Sequence, residues 1–187
     1  MYKLCKTEQS ATRQRQLELG LMEAMTQQHY DEICVSDLCD QMQIPRKSFY
    51  RYFSGKEGAL KALIDHTLLE YEGISHMPGE NEEYTQTQLE GFFRFWFERK
   101  TLLDALSRSG LAGVLVERAI VHALSDFTIV AHFRHKTEKN VVEQTTMFAV
   151  CGLMSMILRW HEEDFVTPIE EMATIAVQIM TRPLYKI

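Results

Sequence analysis

An all-α fold is what this sequence predicts, and three observations carry the expectation. Apolar residues recur at helical spacing: Leu17, Leu21, Ala24 and Met25 fall at i, i+4, i+7 and i+8. Ten Met and ten Phe stand against nine Gly and four Pro, a composition that leans toward helices. No strand-like alternation, internal repeat or low-complexity segment interrupts the pattern. With 187 residues, 45% of them apolar and 25% charged, the chain can bury a real core with an ordinary soluble balance. One domain, or a small domain joined to a larger one, is expected.

The elements follow in order. A first helix covers 11–28. The segment 29–35 interrupts it, with Tyr30 and Ile33 as core plugs. Ser36 is the expected N-cap of a short helix carrying Leu38, Cys39 and Met42. Pro45 then forces Ile44 out of helical geometry, and a third short helix runs from about Arg46 to Tyr52. Ser54 and Glu57 form a capping box, so a new helix begins at Gly55 or Lys56 and continues to about Ser75. Pro78, Gly79 and Asn81 make the clearest linker-like loop. Beyond it lie an aromatic-dense helix over 84–100, a fresh cap at Thr101–Asp104, and a long apolar helix after Gly110. Another helix over 140–163 is apolar on most faces. Thr167-Pro168-Ile169-Glu170 combines a capping box with a helix-starting proline and opens the last helix.

Charge is uneven. Residues 1–63 carry 9 Lys+Arg against 8 Asp+Glu, whereas 64–187 carry 11 against 18. Within 44–61, Arg46, Lys47, Arg51, Lys56 and Lys61 face Glu57 alone. Net acidity does not exclude nucleic acid, because phosphate contacts depend on where the cations sit. The start of the chain has no apolar signal core, and no apolar run approaches the roughly 20 residues of a membrane span. A cytoplasmic protein with no membrane partner is expected. Cys5, Cys34, Cys39 and Cys151 have no CxxC spacing and read as small buried side chains. His132 and His135 lie three apart but lack a completing Cys or carboxylate, so no metal is expected. There is no nucleophile–base motif and no phosphate loop. Neither catalysis nor a cofactor is expected.

The segment IPRKSFYRYFSGKEGAL, residues 44–60, concentrates the chemistry. Two short helices joined by a tight turn, after a longer helix, form a helix-turn-helix arrangement. On a helical wheel Phe49 and Phe53 share the buried face, and Lys47 and Arg51 point away. Ser48, Tyr50 and Tyr52 flank them, with Arg46 at the amino end. Such a helix suits the major groove: Arg and Lys donate to guanine or phosphate, and Tyr and Ser hydroxyls bond phosphate oxygens. Lys56, in the first turn of the next helix, could hold a backbone phosphate.

The stretch VSDLCDQMQIPRKSFYRYFSGKEGAL resembles the DNA-binding signature of TetR/AcrR-family transcriptional regulators over about Gln16 to Ile64. The resemblance rests on Leu38, the turn ending in Ile44, the Phe49-Tyr50-x-Tyr52-Phe53 block, and Lys56-Glu57 with Leu60. The family usually has Gly or a small residue where Gln43 stands. The resemblance implies a three-helix DNA-binding head over 1–54 and a helical ligand-binding and dimerisation domain over 55–187, connected through a helix at about 55–75. It also implies a homodimer formed by the last two helices, a double-stranded DNA operator, and a small-molecule effector of unknown identity. DNA contacts are then expected from Ser36, Arg46, Lys47, Ser48, Tyr50, Arg51, Tyr52 and Lys56. The implied effector cavity takes Phe93, Trp96, Leu115, Phe127, Met147 and Cys151.

The last two helices carry too much apolar surface for one monomer to cover, which favours a self-complementary interface. Phe148, Gly152, Ser155, Met156, Met172, Ala176 and Met180 are its expected residues. The reading is a ligand-responsive repressor that binds a palindromic operator. A coactivator of the same fold, without DNA contacts, is the alternative, and the retained basic residues argue against it.

Overall fold

The computed structural model describes residues 7–74, 82–125 and 139–181, together with Tyr2, Lys3 and Cys5. Among them the chain forms nine α-helices and no strand: α1 (Glu8–Gln27), α2 (Val35–Gln41), α3 (Arg46–Tyr52), α4 (Lys56–Ile74), α5 (Glu82–Phe97), α6 (Lys100–Arg108), α7 (Ala112–Ser125), α8 (Lys139–Glu162) and α9 (Ile169–Thr181). The all-α expectation holds, and α3 runs over the very residues its pattern predicted. The chain divides into two compact units. One comprises residues 1–67 with 101–118, and the other comprises 68–100 with 119–187.

In the first unit, the apolar stripe of α1 is buried through Leu17, Leu21, Ala24 and Met25. Thr7 caps α1 by accepting from the Ser10 amide at 3.2 Å. A 3₁₀ turn at Tyr30–Glu32 follows, and Tyr30 and Ile33 plug the core as predicted. Helix α6 buries Leu102, Leu103, Ala105 and Leu106. Its end is fastened to the end of α1: Arg108 donates to the Met25 carbonyl, and the Tyr30 amide donates to Ser109 Oγ at 3.2 Å. Loop backbone that would otherwise be unpaired is satisfied there.

In the second unit, α5 packs along α9. Gln86 Nε2 donates to the Glu170 carbonyl at 3.2 Å and to Thr174 Oγ1 at 3.3 Å. The crowded aromatics of α5 need cover on more than one face, and they receive it. Phe92, Phe93, Phe95 and Trp96 are all buried, and Phe97 reaches Phe165 edge-on at 5.3 Å. Trp160 closes the cluster against Phe93 and Phe165, and its indole N–H donates to the Thr167 carbonyl at 2.8 Å.

Three helices end in the same way. After α2 the Ile44 amide reaches the Cys39 carbonyl at 2.9 Å and the Gln43 amide reaches Asp40 at 3.1 Å. Equivalent pairs close α6 at Gly110 and Leu111, and α8 at Asp164 and Phe165. These are Schellman closures, which need a left-handed residue just past the helix. Gly110 supplies it without strain, at φ 67°. Gln43 and Asp164 supply it as non-glycine residues at φ 54° and 53°, and Phe165 follows at φ 56°. A side chain in that region is sterically costly, so packing must hold these turns in place.

Helix α8 departs from expectation in one respect. Within residues 140–162 an 18-residue window reaches a mean hydropathy of 1.5, long enough and apolar enough to meet the composition of a membrane span. Much of its apolar surface is uncovered within the chain: Phe148 is 80% exposed and Val141 49%. One such helix is equally the mark of a surface that another protein element covers.

Candidate nucleic-acid interface

Helices α2 and α3 meet across the turn at 42–45. Met42 caps α2 in right-handed geometry, Gln43 turns left-handed, and extended Pro45 starts α3. Pro45 offers no side-chain cap, but its carbonyl accepts from the Ser48 amide at 2.8 Å. The Met42 thioether lies over Gly20, where any Cβ would meet its sulfur at 2.3 Å. The Met42 side chain thus fills the space that a side chain at position 20 would take.

Helix α3 is anchored as the periodicity required. Phe49 is 0% and Phe53 1% exposed, and their rings pack 5.1 Å apart. Opposite them Arg46, Lys47, Tyr50 and Arg51 are exposed, and Ser48 is half-buried. Among the described residues no acidic side chain pairs with Arg46, Lys47 or Arg51. Their charge is therefore available to a polyanion. Beneath the surface, burial raises the Cys39 thiol pKa, a shift that the nearby Arg46 partly opposes.

Two expected contacts and one expected helix cap come out differently. Tyr52 is buried, because it lies three residues after Phe49 and shares that face, tilted against Phe53 at 6.2 Å. Lys56 does open α4, but its ammonium donates to the carbonyls of Tyr30 at 2.8 Å, Asp31 at 3.1 Å and Ile33 at 3.0 Å. It also lies 4.5 Å from the Tyr30 ring centroid. All three of its donors serve the 3₁₀ turn rather than standing free for a phosphate. Ser36 is not the cap of α2, which begins at Val35 after Cys34. Its hydroxyl lies 2.8 Å from Cys34 Sγ and donates to Asp37 at 3.2 Å. Cys34 is thus exposed at a helix start, whereas Cys39 is buried and Cys5 and Cys151 are half-buried.

Lys3, which sequence reasoning did not single out, sits exposed beside this helix, its backbone amide donating to the Tyr52 carbonyl at 3.0 Å. No periodic signal could have placed it there.

The residues expected around an effector are distributed over both units. Phe93 and Trp96 are core in the second unit, meeting Trp160 and Phe95 edge-on at 5.7 and 5.4 Å. Leu115 is core in the first unit. Met147 and Cys151 border a shallow surface groove on α8 with Phe148, and Phe127, His132 and His135 lie outside the described residues. Of the expected interface residues, Phe148, Gly152, Met156, Ala176 and Met180 line an apolar groove between α8 and α9. Ser155 is exposed nearby, while Met172 points inward at 8% exposure.

No protein-family model matches the sequence, and no curated protein matches it. Solved structures do match the fold. The fatty acid degradation regulator FadR from Bacillus halodurans superposes with a TM-score of 0.64 at 13% identity, over 97% of this chain and 98% of that one. The dihydroxyacetone kinase operon activator DhaS gives 0.61 at 14% identity, over 90% and 93%. A TetR-family transcriptional regulator from Streptomyces coelicolor gives 0.60 at 18% identity, over 90% and 78%. The architecture is that of TetR-type transcriptional regulators.

Proposed function

We propose, from the premise of a fold shared with TetR-type regulators, that this chain is a ligand-responsive DNA-binding transcriptional repressor. One observation carries the reading: α3 presents Arg46, Lys47, Tyr50 and Arg51 outward from a buried Phe49–Phe53 anchor. A two-fold dimer would set two such helices into successive major grooves of a palindromic operator. Residues 1–54 carry the DNA-reading surface in this reading, and 55–187 carry dimerisation and the effector site. The uncovered apolar groove of α8 and α9 supports the dimer. A small molecule that binds one spacing of the heads better than another would shift the population away from the operator-bound state.

Selection of genomic fragments with the purified protein would yield the operator. Anisotropy against it should show affinity falling steeply with salt, and Lys47→Ala should reduce the slope of log Kd against log salt by about one. Unchanged affinity in that variant would remove α3 as the reading helix. A selection that recovers no DNA, with a protein partner captured instead, would favour the coactivator alternative.

A further inference from the structure

The N-terminal arm is stitched through Tyr2, Lys3 and Cys5 to three helices of the first unit. The Lys3 amide donates to the Tyr52 carbonyl at 3.0 Å, and Tyr2 pairs with Phe53 in a single antiparallel bridge. The arm thereby satisfies one of the carbonyls that the end of α3 leaves unpaired. Cys5 Sγ donates to Gln14 Oε1 on α1 at 2.7 Å, and that glutamine is 2% exposed. The Tyr2 hydroxyl donates to Asp65 Oδ2 on α4 at 2.7 Å, and its ring stands edge-on to His66 at 6.0 Å.

Asp65 is fully buried, and Arg118 on α7 holds it through two donors at 2.5 and 2.7 Å. A buried carboxylate must be paired to be tolerated, so its geometry is tightly set. It makes a fixed post for the arm. The Tyr2 phenol is driven well above its ordinary range by burial, then by its bond to Asp65, and stays a donor at working pH.

We propose that Tyr2 is a positioning residue for operator binding: its hydroxyl latches the arm to Asp65, and the latched arm fixes the carboxyl end of α3 against α4. The proposal rests on the reading of α3 as the DNA-contacting helix. Side-chain packing of Phe49, Tyr52 and Phe53 buries the end of α3, but its backbone has few ties. Its last backbone bond runs from the Phe53 amide to the Phe49 carbonyl at 3.1 Å, and the arm alone bonds the Tyr52 carbonyl among the described residues. Arg51, in the last turn of α3, depends on this alignment to reach a base or phosphate.

The test is Tyr2→Phe in the full chain, which keeps the ring contact with His66 and removes only the latch. Hydrogen exchange at the Lys3 amide of the free protein should quicken by about tenfold, the scale of one lost hydrogen bond to a charged partner. Operator Kd should rise by about tenfold. The slope against salt should not change, because no cation has been removed. A purely structural tyrosine would lower the melting temperature and leave the Kd of the folded protein as it was. Unchanged exchange at Lys3, or faster exchange with unchanged Kd, overturns the latch. If the parent chain itself binds no operator, the DNA-binding reading fails and the latch falls with it. A parent that binds while Tyr2→Phe binds equally well overturns the latch alone.

Discussion

At the scale of the residue, Lys56 separates two jobs that look alike in sequence. Its three N–H groups reach the carbonyls of Tyr30, Asp31 and Ile33, so it acts as a cationic pin for a turn. Lys56→Met should therefore lower stability on the order of 1–3 kcal/mol in urea unfolding. It should leave the salt slope of operator binding intact, and a slope reduced by about one would restore the phosphate role. Gln43 offers the opposite case, a residue whose replacement should help. Held at φ 54°, it carries strain that glycine lacks. Gln43→Gly should raise stability by about 1 kcal/mol, read as a higher denaturant midpoint at unchanged slope. What the sequence revealed at this scale was local. Phe49 and Phe53 declare themselves by spacing, whereas Tyr52, three residues after Phe49, lies at the edge of their stripe, where spacing alone does not separate core from groove. The partners of Lys56 lie 23 to 26 residues away, and those of Asp65 lie 63 and 53 away, beyond any periodic signal.

At the scale of the element, α8 shows most clearly how a sequence pattern survives folding unresolved. Its apolar residues run round the helix, and the chain covers only part of them. Phe148 stands 80% exposed at the rim of the α8–α9 groove. If the proposed dimer forms through this groove, Phe148→Glu should convert it to a monomer in sedimentation velocity, since a charge buried in the interface is left unpaired. Operator affinity should then fall about a hundredfold or more, because the second half-site no longer binds at high effective concentration. Retained dimerisation would mean that another surface joins the protomers. Helix existence was legible throughout the described residues because each helix carries a stripe, a cap or a proline. The helix boundaries shifted where side chains gave weaker signals, as at Cys34 and Val35.

At the scale of the whole molecule, a two-fold regulator should protect two half-sites about one helical turn apart, and footprinting at single-base resolution would show that spacing. The division of the chain was the least legible feature, because contacts between distant segments fix it. Compactness joins residues 101–118 to 1–67, through pairings such as Arg108 with Met25 and Arg118 with Asp65. This bears on anyone who would graft heads between regulators of this architecture. On the proposed reading, the transplantable head is not a contiguous cassette. A crossover after residue 54 would hand the Lys56 pin an alien turn and Asp65 an alien arm. Exchanging 1–67 together with 101–118 should give chimeras that melt several degrees higher than those cut at 54, because the bonds that register the reader travel with it.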